Sequence, residues 1–255
     1  ERLGSHFFKE GAVVIPGQVG LDLTYSFLKL QVNFTDSQSI LHTVENYRTQ
    51  LIGHTITGVT SKVKAKIVGT AAAVTSASED LTLFIKYEES GTDSGSTTKF
   101  TFDDDEFITS DTTFSYLDGN TSRTLSLNTN IAKTSASSAT GTGSAASVQK
   151  GVYYIRGHFV ECATQTLVLD KYTATPSYRV GFTVTESLST PEEDSSLLDN
   201  ATGSTNFAAK GAHRLKYTLT LTKKALGSAD DADFVELLTV RNGLLQSKTR
   251  HTDYS

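Results

Sequence analysis

The sequence predicts a mainly β protein: tandem antiparallel β-sandwich or barrel modules, with one amphipathic helix near residues 37–52. Three observations carry that expectation. Four segments rich in β-branched and aromatic residues follow one another at 151–160, 165–172, 177–186 and 213–223, parted by Gly, Pro, Asp or Ser. Ser and Thr are abundant while charged residues make up only 20% of the chain, which suits strands whose outer faces carry hydroxyls. Convincing helical spacing occurs once, between residues 37 and 52.

Taken in order, residues 12–15 are an extended apolar run that stops at the turn signal Pro16-Gly17. Residues 19–34 alternate, with Leu21, Leu23, Tyr25 and Phe27 on one parity and Leu28, Leu30, Val32 and Phe34 on the other. The change of parity predicts a bulge or bend. Asp36 or Ser37 is placed to cap a helix in which Ile40, Leu41, Val44, Tyr47, Leu51 and Ile52 form one apolar stripe, with Gly53 at its C-terminal stop. That stripe suits either the cover of a sheet face or a trimer axis. Residues 1–53 are thus expected to be a strand-plus-helix segment packing with the C-terminal module.

Residues 54–148 read as an inserted small β-barrel or sandwich. Strands lie near 56–67 and 81–87, with another short one at Phe100 and Phe102 before the acidic run 103–106 and Phe107-Ile108 after it. The Ser/Ala/Thr/Gly stretch 135–147 reads as a flexible connector or polar edge strand. Residues 149–255 read as an antiparallel sandwich containing the four strong strands. A polar loop spans 190–200, and a hairpin turns at Asn242-Gly243.

Composition narrows the function classes. Residues 1–53 carry 4 basic and 5 acidic side chains, 54–148 carry 7 and 11, and 149–255 carry 12 of each. No part is basic, so nucleic-acid binding has no electrostatic source. No apolar run has the length of a membrane span, so no membrane insertion is expected. Cys162 is the one cysteine, which excludes a disulfide framework and a Cys-based metal site. The chain starts at Glu1 and has no Met, which reads as a processed chain or a piece of a longer one.

Candidate chemistry is thin. His54, His158 and His213 lack metal-ligand spacing and sit among strand residues. In Asp103-Asp104-Asp105-Glu106 the offsets of a calcium loop fail, which leaves a solvated turn as the simpler reading. Asp93-Ser94-Gly95 has no second copy to form a carboxylate dyad. Gly141-Thr142-Gly143-Ser144 lacks the lysine of a phosphate loop. Asn33, Asn120 and Asn200 open glycosylation triplets that read as accidental in so Ser/Thr-rich a chain. No catalytic residue, cofactor or metal is expected.

The wording of residues 7–18, 151–160, 169–172, 176–181, 194–201 and 211–223 resembles a family of uncharacterised domains in large virion structural proteins of tailed bacteriophages, notably those of cyanobacteria. The resemblance covers most of the chain and thins between about Thr70 and Ser147. It implies a part of the tail, baseplate or tail-fibre attachment apparatus, made in the host cytoplasm and located in the virion. Partners would be copies of itself, a homotrimer foremost, and other tail proteins. It carries no catalytic motif.

The function expected is therefore a structural adaptor, not an enzyme. Tyr154, Tyr172, Tyr178 and Phe207 are candidate interface anchors at hairpin ends, with core packing as the competing role of each. Binding of a host surface glycan is the alternative, weakened by the absence of Trp. A polysaccharide depolymerase would need two carboxylates at a set separation.

Overall fold

The computed structural model describes residues 4–15, 17–77 and 79–248. Strands take up 54% of the chain and helix 7%, with several antiparallel sheets and, among the described residues, no closed barrel. The chain divides into two compact units. A middle unit comprises Leu23–Ser144 and Asp170–Ala174. A terminal unit comprises Glu1–Asp22, Ala145–Leu169 and Thr175–Ser255.

In the middle unit, the strands Asn130–Lys133, Phe107–Ser110, Thr55–Gly58, Lys64–Ala71, Leu81–Glu89 and residues 23–30 of Val19–Leu30 lie side by side in that order. Ile56 pairs with Ala65, Ile67 with Ile85 and Leu28 with Leu83. These side chains are buried together with Phe114, Tyr116 and Leu125 from the Phe114–Asp118 and Thr121–Leu125 hairpin. Phe27 and Leu28 are both buried on one continuous strand, which accounts for the apolar residues on both parities.

The helix expected over 37–52 does not form. The segment makes a hairpin, Asn33–Thr35 with Leu41–Thr43, followed by 3-10 turns at Val44–Asn46 and Arg48–Leu51. The reason is local. Asp36 Oδ1 accepts the backbone N–H groups of Gln38 at 2.8 Å and Ile40 at 2.9 Å, folding the chain back on itself. Ser39 takes a φ of 63°, which a helix interior does not tolerate. Val44, Tyr47 and Leu51 still point inward: Val44 and Tyr47 are three residues apart, one 3-10 turn, and a second, separate 3-10 turn at Arg48–Leu51 brings Leu51 round to the core. They join the middle unit's core, as do Leu28, Leu30 and Phe34. Residues 23–53 therefore belong to the middle unit and share its core.

The Ser/Ala/Gly-rich stretch is not a connector either. Thr140–Val148 is an interior strand between Val19–Leu30 and Gln165–Asp170. Its small residues permit close approach. A Cβ on Gly141 would lie 2.6 Å from the Phe27 ring, and one on Gly143 would lie 2.3 Å from the Lys171 carbonyl oxygen.

In the terminal unit, one sheet runs Arg214–Ala225, Tyr178–Ser189, Phe234–Arg241, Leu244–Lys248, and another runs Val13–Ile15, Gly151–Ile155, His158–Cys162. Both contribute to one buried cluster that includes Val13, Tyr153, Ile155, Val180, Phe182, Leu221 and Val235. Tyr153 meets Phe182 edge-to-face at 4.9 Å, a contact worth about 1 kcal/mol beyond the area it buries. The pairing of Tyr178–Ser189 with Phe234–Arg241 is bulged on the Phe234–Arg241 side, where Leu237 is the extra residue between the pairs Val180–Leu238 and Gly181–Glu236, and a Cβ on Gly181 would lie 2.1 Å from the Val235 carbonyl oxygen. The hairpin at Asn242-Gly243 forms, with φ values of 49° and 76°, the left-handed pair of a two-residue turn.

Candidate functional site

Two places concentrate features that packing alone does not account for. The first is an arm of the terminal unit. Tyr178–Ser189 pairs with Arg214–Ala225 along its whole length, from Tyr178 opposite Ala225 to Ser189 opposite Arg214. On its other side it pairs with Phe234–Arg241 only from Tyr178 to Thr183. The last half of the hairpin, residues 184–189 and their partners, is therefore a two-stranded ribbon.

The alternation of the buried part continues into that ribbon. Val180, Phe182 and Val184 share a face with Glu186 and Leu188, and opposite them Leu221 and Leu219 share it with Tyr217 and Leu215. The cross-strand pair Leu188 and Leu215 stands 58% and 46% exposed, so an apolar face laid down for burial outruns the core that would cover it. The ribbon is positioned by Arg156, held at a φ of 49° by Glu10 accepting its backbone N–H at 2.8 Å. Its guanidinium reaches Glu186 at 3.5 Å and also binds Asp233. These partners hold the guanidinium above its ordinary value, the hydrogen bond to Asp233 first. Between the two strands, Asp194 caps the Ser195–Leu197 turn, Leu198 bridges Lys210, and Phe207 is 56% exposed.

The second place is a buried polar chain in the middle unit. Asp36 Oδ2 lies 3.0 Å from His42 Nε2, and His42 Nδ1 lies 2.6 Å from the Tyr116 hydroxyl. His42 stacks on Phe34 with ring centroids 5.0 Å apart, and Tyr116 packs on Tyr47 at 4.7 Å. With Asp36 ionised, His42 donates from Nε2 and Tyr116 donates to Nδ1. The hydrogen bond from His42 holds the Asp36 carboxyl below its ordinary value. A cavity of about 330 Å³ opens beside Asp36, lined otherwise by Ser37, Gln38, Thr124, Ser126 and Asn128 among others. The order Asp-His-hydroxyl is that of a hydrolytic relay, but its terminal hydroxyl is a phenol buried within the core cluster, with no face open to a substrate. Its chemistry is that of a structural tie.

The acidic run is consumed internally. Glu106 is buried and accepts the backbone N–H groups of Thr60, Ser61 and Asp103 at 3.0, 3.0 and 2.7 Å, and the Ser61 hydroxyl at 2.8 Å. Asp103 binds Lys99 at 2.8 Å, Asp104 binds the N–H of Ala139 at 2.8 Å, and Asp105 binds Lys133 at 2.7 Å. Asp93 holds the N–H groups of Gly95 and Thr97, both at 2.9 Å, as a turn cap. Among the described residues no three His, Cys, Asp or Glu side chains are grouped to hold a metal ion, and no helix is long and apolar enough to cross a membrane. Cys162 is buried, and burial raises its thiol.

The candidate anchors separate. Tyr154 is buried between Phe8 and Phe159, with ring centroids at 5.8 and 5.6 Å, so it is not an exposed hairpin end. Tyr172 is half-buried, edge-on to Phe27 at 5.0 Å, beneath the Lys29 ammonium at 4.5 Å, and bonded to Thr82 at 2.7 Å. Tyr178 is half-buried under Lys223 at 4.6 Å. Phe207 alone of the four is exposed. Leu188 and Leu215 escaped the reading from sequence. Their signal is the apolar parity running to the very end of both strands, and it becomes informative only once the shorter neighbouring strand is known.

A family model matches residues 127–255, described as a domain of unknown function (DUF4815). No curated protein and no solved structure matches the chain.

Proposed function

The chain belongs to the family of that domain of unknown function, and from this premise we propose that it is a structural module that works by assembling with other subunits, in the tail, baseplate or fibre-attachment region of a tailed-phage virion. The observation that carries the assembly part is the ribbon. Two exposed leucines face each other on strands that have left the shelter of the sheet, and an isolated two-stranded hairpin is marginal in water. Such a ribbon is stabilised when a partner covers its apolar face or adds a strand to its edge. The ribbon lies inside the matched residues 127–255. The virion part rests on the resemblance of the strand wording to phage structural proteins.

Sedimentation velocity of the chain over a wide concentration range, alone and with the products of the genes beside its own, tests the proposal. Wild type is expected to form a defined homo-oligomer or a defined complex, and the double variant Leu188→Asp, Leu215→Asp is expected to lose it while keeping its circular-dichroism spectrum. A wild-type chain that stays monomeric in every mixture, or a double variant that assembles as well as wild type, removes the proposal.

A further inference from the structure

The Asn242-Gly243 turn carries chemistry beyond its role as a hairpin corner. Glycine has no side chain to shield its backbone nitrogen, so in an Asn-Gly pair that nitrogen can attack the asparagine side-chain carbonyl carbon. A C–N bond forms, the glycine N–H proton leaves with the side-chain amide as ammonia, and a cyclic imide results. Water then opens the ring at either carbonyl, giving aspartate or isoaspartate. Water is the one co-reactant, and no oxidant or reductant is involved.

In the folded chain each participant is held. The nucleophile, Gly243 N, sits in a buried residue and donates its proton to the Pro176 carbonyl oxygen at 2.9 Å. The electrophile is tethered because Asn242 Oδ1 accepts the Ser177 hydroxyl at 3.1 Å. The same Ser177 oxygen accepts the Asn242 backbone N–H at 2.8 Å, closing a two-point clasp. With both backbone groups anchored to residues 176–177, the turn cannot rotate the side-chain carbonyl onto the glycine nitrogen without breaking hydrogen bonds to a neighbouring segment.

We propose that Asn242 is a latent deamidation site, kept unreactive by the Pro176–Ser177 clasp and released when the clasp opens. Conversion has a structural consequence. Isoaspartate routes the main chain through the side-chain carbon and adds one backbone atom to a two-residue turn in which Arg241 faces Leu244. The register of Leu244–Lys248, an edge strand of its sheet, is lost with it. The inference rests on the turn alone and does not depend on the assembly reading.

The test uses the full chain. Trypsin cuts after Arg241 and Lys248, so the peptide of residues 242–248 reports the amide-to-acid mass gain directly. At mildly alkaline pH, the folded wild type is expected to convert about tenfold or more slowly than the same chain in urea, because attack requires local opening of the turn. Ser177→Ala is expected to raise the folded-state rate several-fold, and Ser177→Thr, which keeps the hydroxyl, to restore it. Equal rates in the folded and unfolded chain overturn the proposal. So does an unchanged rate in Ser177→Ala whose Gly243 amide exchanges faster with solvent. If Ser177→Ala fails to fold, the wild-type comparison decides alone.

Discussion

The two units handle buried polarity in opposite ways. In the middle unit every buried polar side chain that organises the fold has partners: Glu106 gathers four donors, and the Tyr116 hydroxyl ends a chain that runs through His42 to Asp36. In the terminal unit the hydroxyls of Tyr153 and Tyr154 are buried with no hydrogen-bond partner, and burial pushes the Tyr153 phenol up to about 12. The terminal unit is also the one that leaves an apolar ribbon uncovered. A satisfied polar network fixes one arrangement, since any shift strands a donor. A core of apolar contacts with idle hydroxyls tolerates adjustment, which suits the unit that carries the candidate contact surface.

The largest expected effect breaks the closed network. Glu106→Ala leaves three backbone N–H groups and the Ser61 hydroxyl without their acceptor. It is expected to cost about 3–5 kcal/mol, measured by urea denaturation, with hydrogen-exchange protection lost first around residues 60–63 and 103–106. A loss under about 0.5 kcal/mol would mean that water replaces the carboxylate without penalty and that the contrast between the units is false.

Matched tyrosine substitutions sharpen the contrast. Tyr116→Phe removes the donor to His42 and is expected to cost about 1–2 kcal/mol. Tyr153→Phe removes a hydroxyl that bonds to nothing and is expected to be neutral or to stabilise by up to about 1 kcal/mol. Both are read from thermal or urea midpoints. Equal losses in the two variants would show that the Tyr153 hydroxyl is solvated after all.

Acid acts on both units, through different groups. Hydrogen bonds hold Asp36 down through His42 and Asp105 down through Lys133 in the middle unit. In the terminal unit Lys210 lowers Glu192, Ser196 lowers Asp194, and Lys224 lowers Asp231. A carboxyl held low in the folded chain stabilises it above the unfolded value, near pH 4, and that stabilisation disappears as pH falls through the lower folded value. Stability is thus expected to be flat from neutrality to about pH 5 and to fall below about pH 4. Added salt should erode the exposed Lys224–Asp231 and Lys210–Glu192 pairs more than the part-buried Asp36–His42 tie. Exchange measured around residues 36–42 and 210–231 at low and high salt checks the order.

Strand existence was legible because it depends on local alternation: three of the four strong segments from 151 to 224 form as single strands. The segment 151–160, read as one strand, is a hairpin of Gly151–Ile155 and His158–Cys162 that turns at Arg156-Gly157 with φ values of 49° and 83°. The 37–52 segment misled because its three- and four-residue apolar spacing is that of an α-helix, while the structure buries Val44, Tyr47 and Leu51 and leaves Leu41 and Ile52 exposed. The decision lay with Asp36 choosing the N–H groups of Gln38 and Ile40 over a helix cap. The Ser/Ala/Gly stretch misled because small residues signal flexibility when free and close approach when a neighbour such as Phe27 lies over them, and that neighbour is distant in sequence. Glu106 was hidden inside an acidic run. Nothing in the spacing distinguishes the one carboxylate that turns inward from the three that meet surface lysines and turns. The ribbon was half legible: Leu188 and Leu215 show their parity, but their exposure depends on Phe234–Arg241 pairing only as far as Thr183.

The smallest expected effect on stability is also the one that bears most on function. Leu188→Ser with Leu215→Ser changes two exposed side chains that touch no core, so the isolated chain should keep its unfolding midpoint within about 0.5 kcal/mol. The same changes remove the apolar pair that a partner would cover, at a site where contact residues commonly cost more than about 1 kcal/mol each when truncated. Unchanged stability with weakened assembly assigns the ribbon to contact between subunits. A drop of about 2 kcal/mol or more in the isolated chain would instead mean that the two leucines already pack against each other as part of the terminal unit's own core, and the two units would then differ only in their buried polar groups.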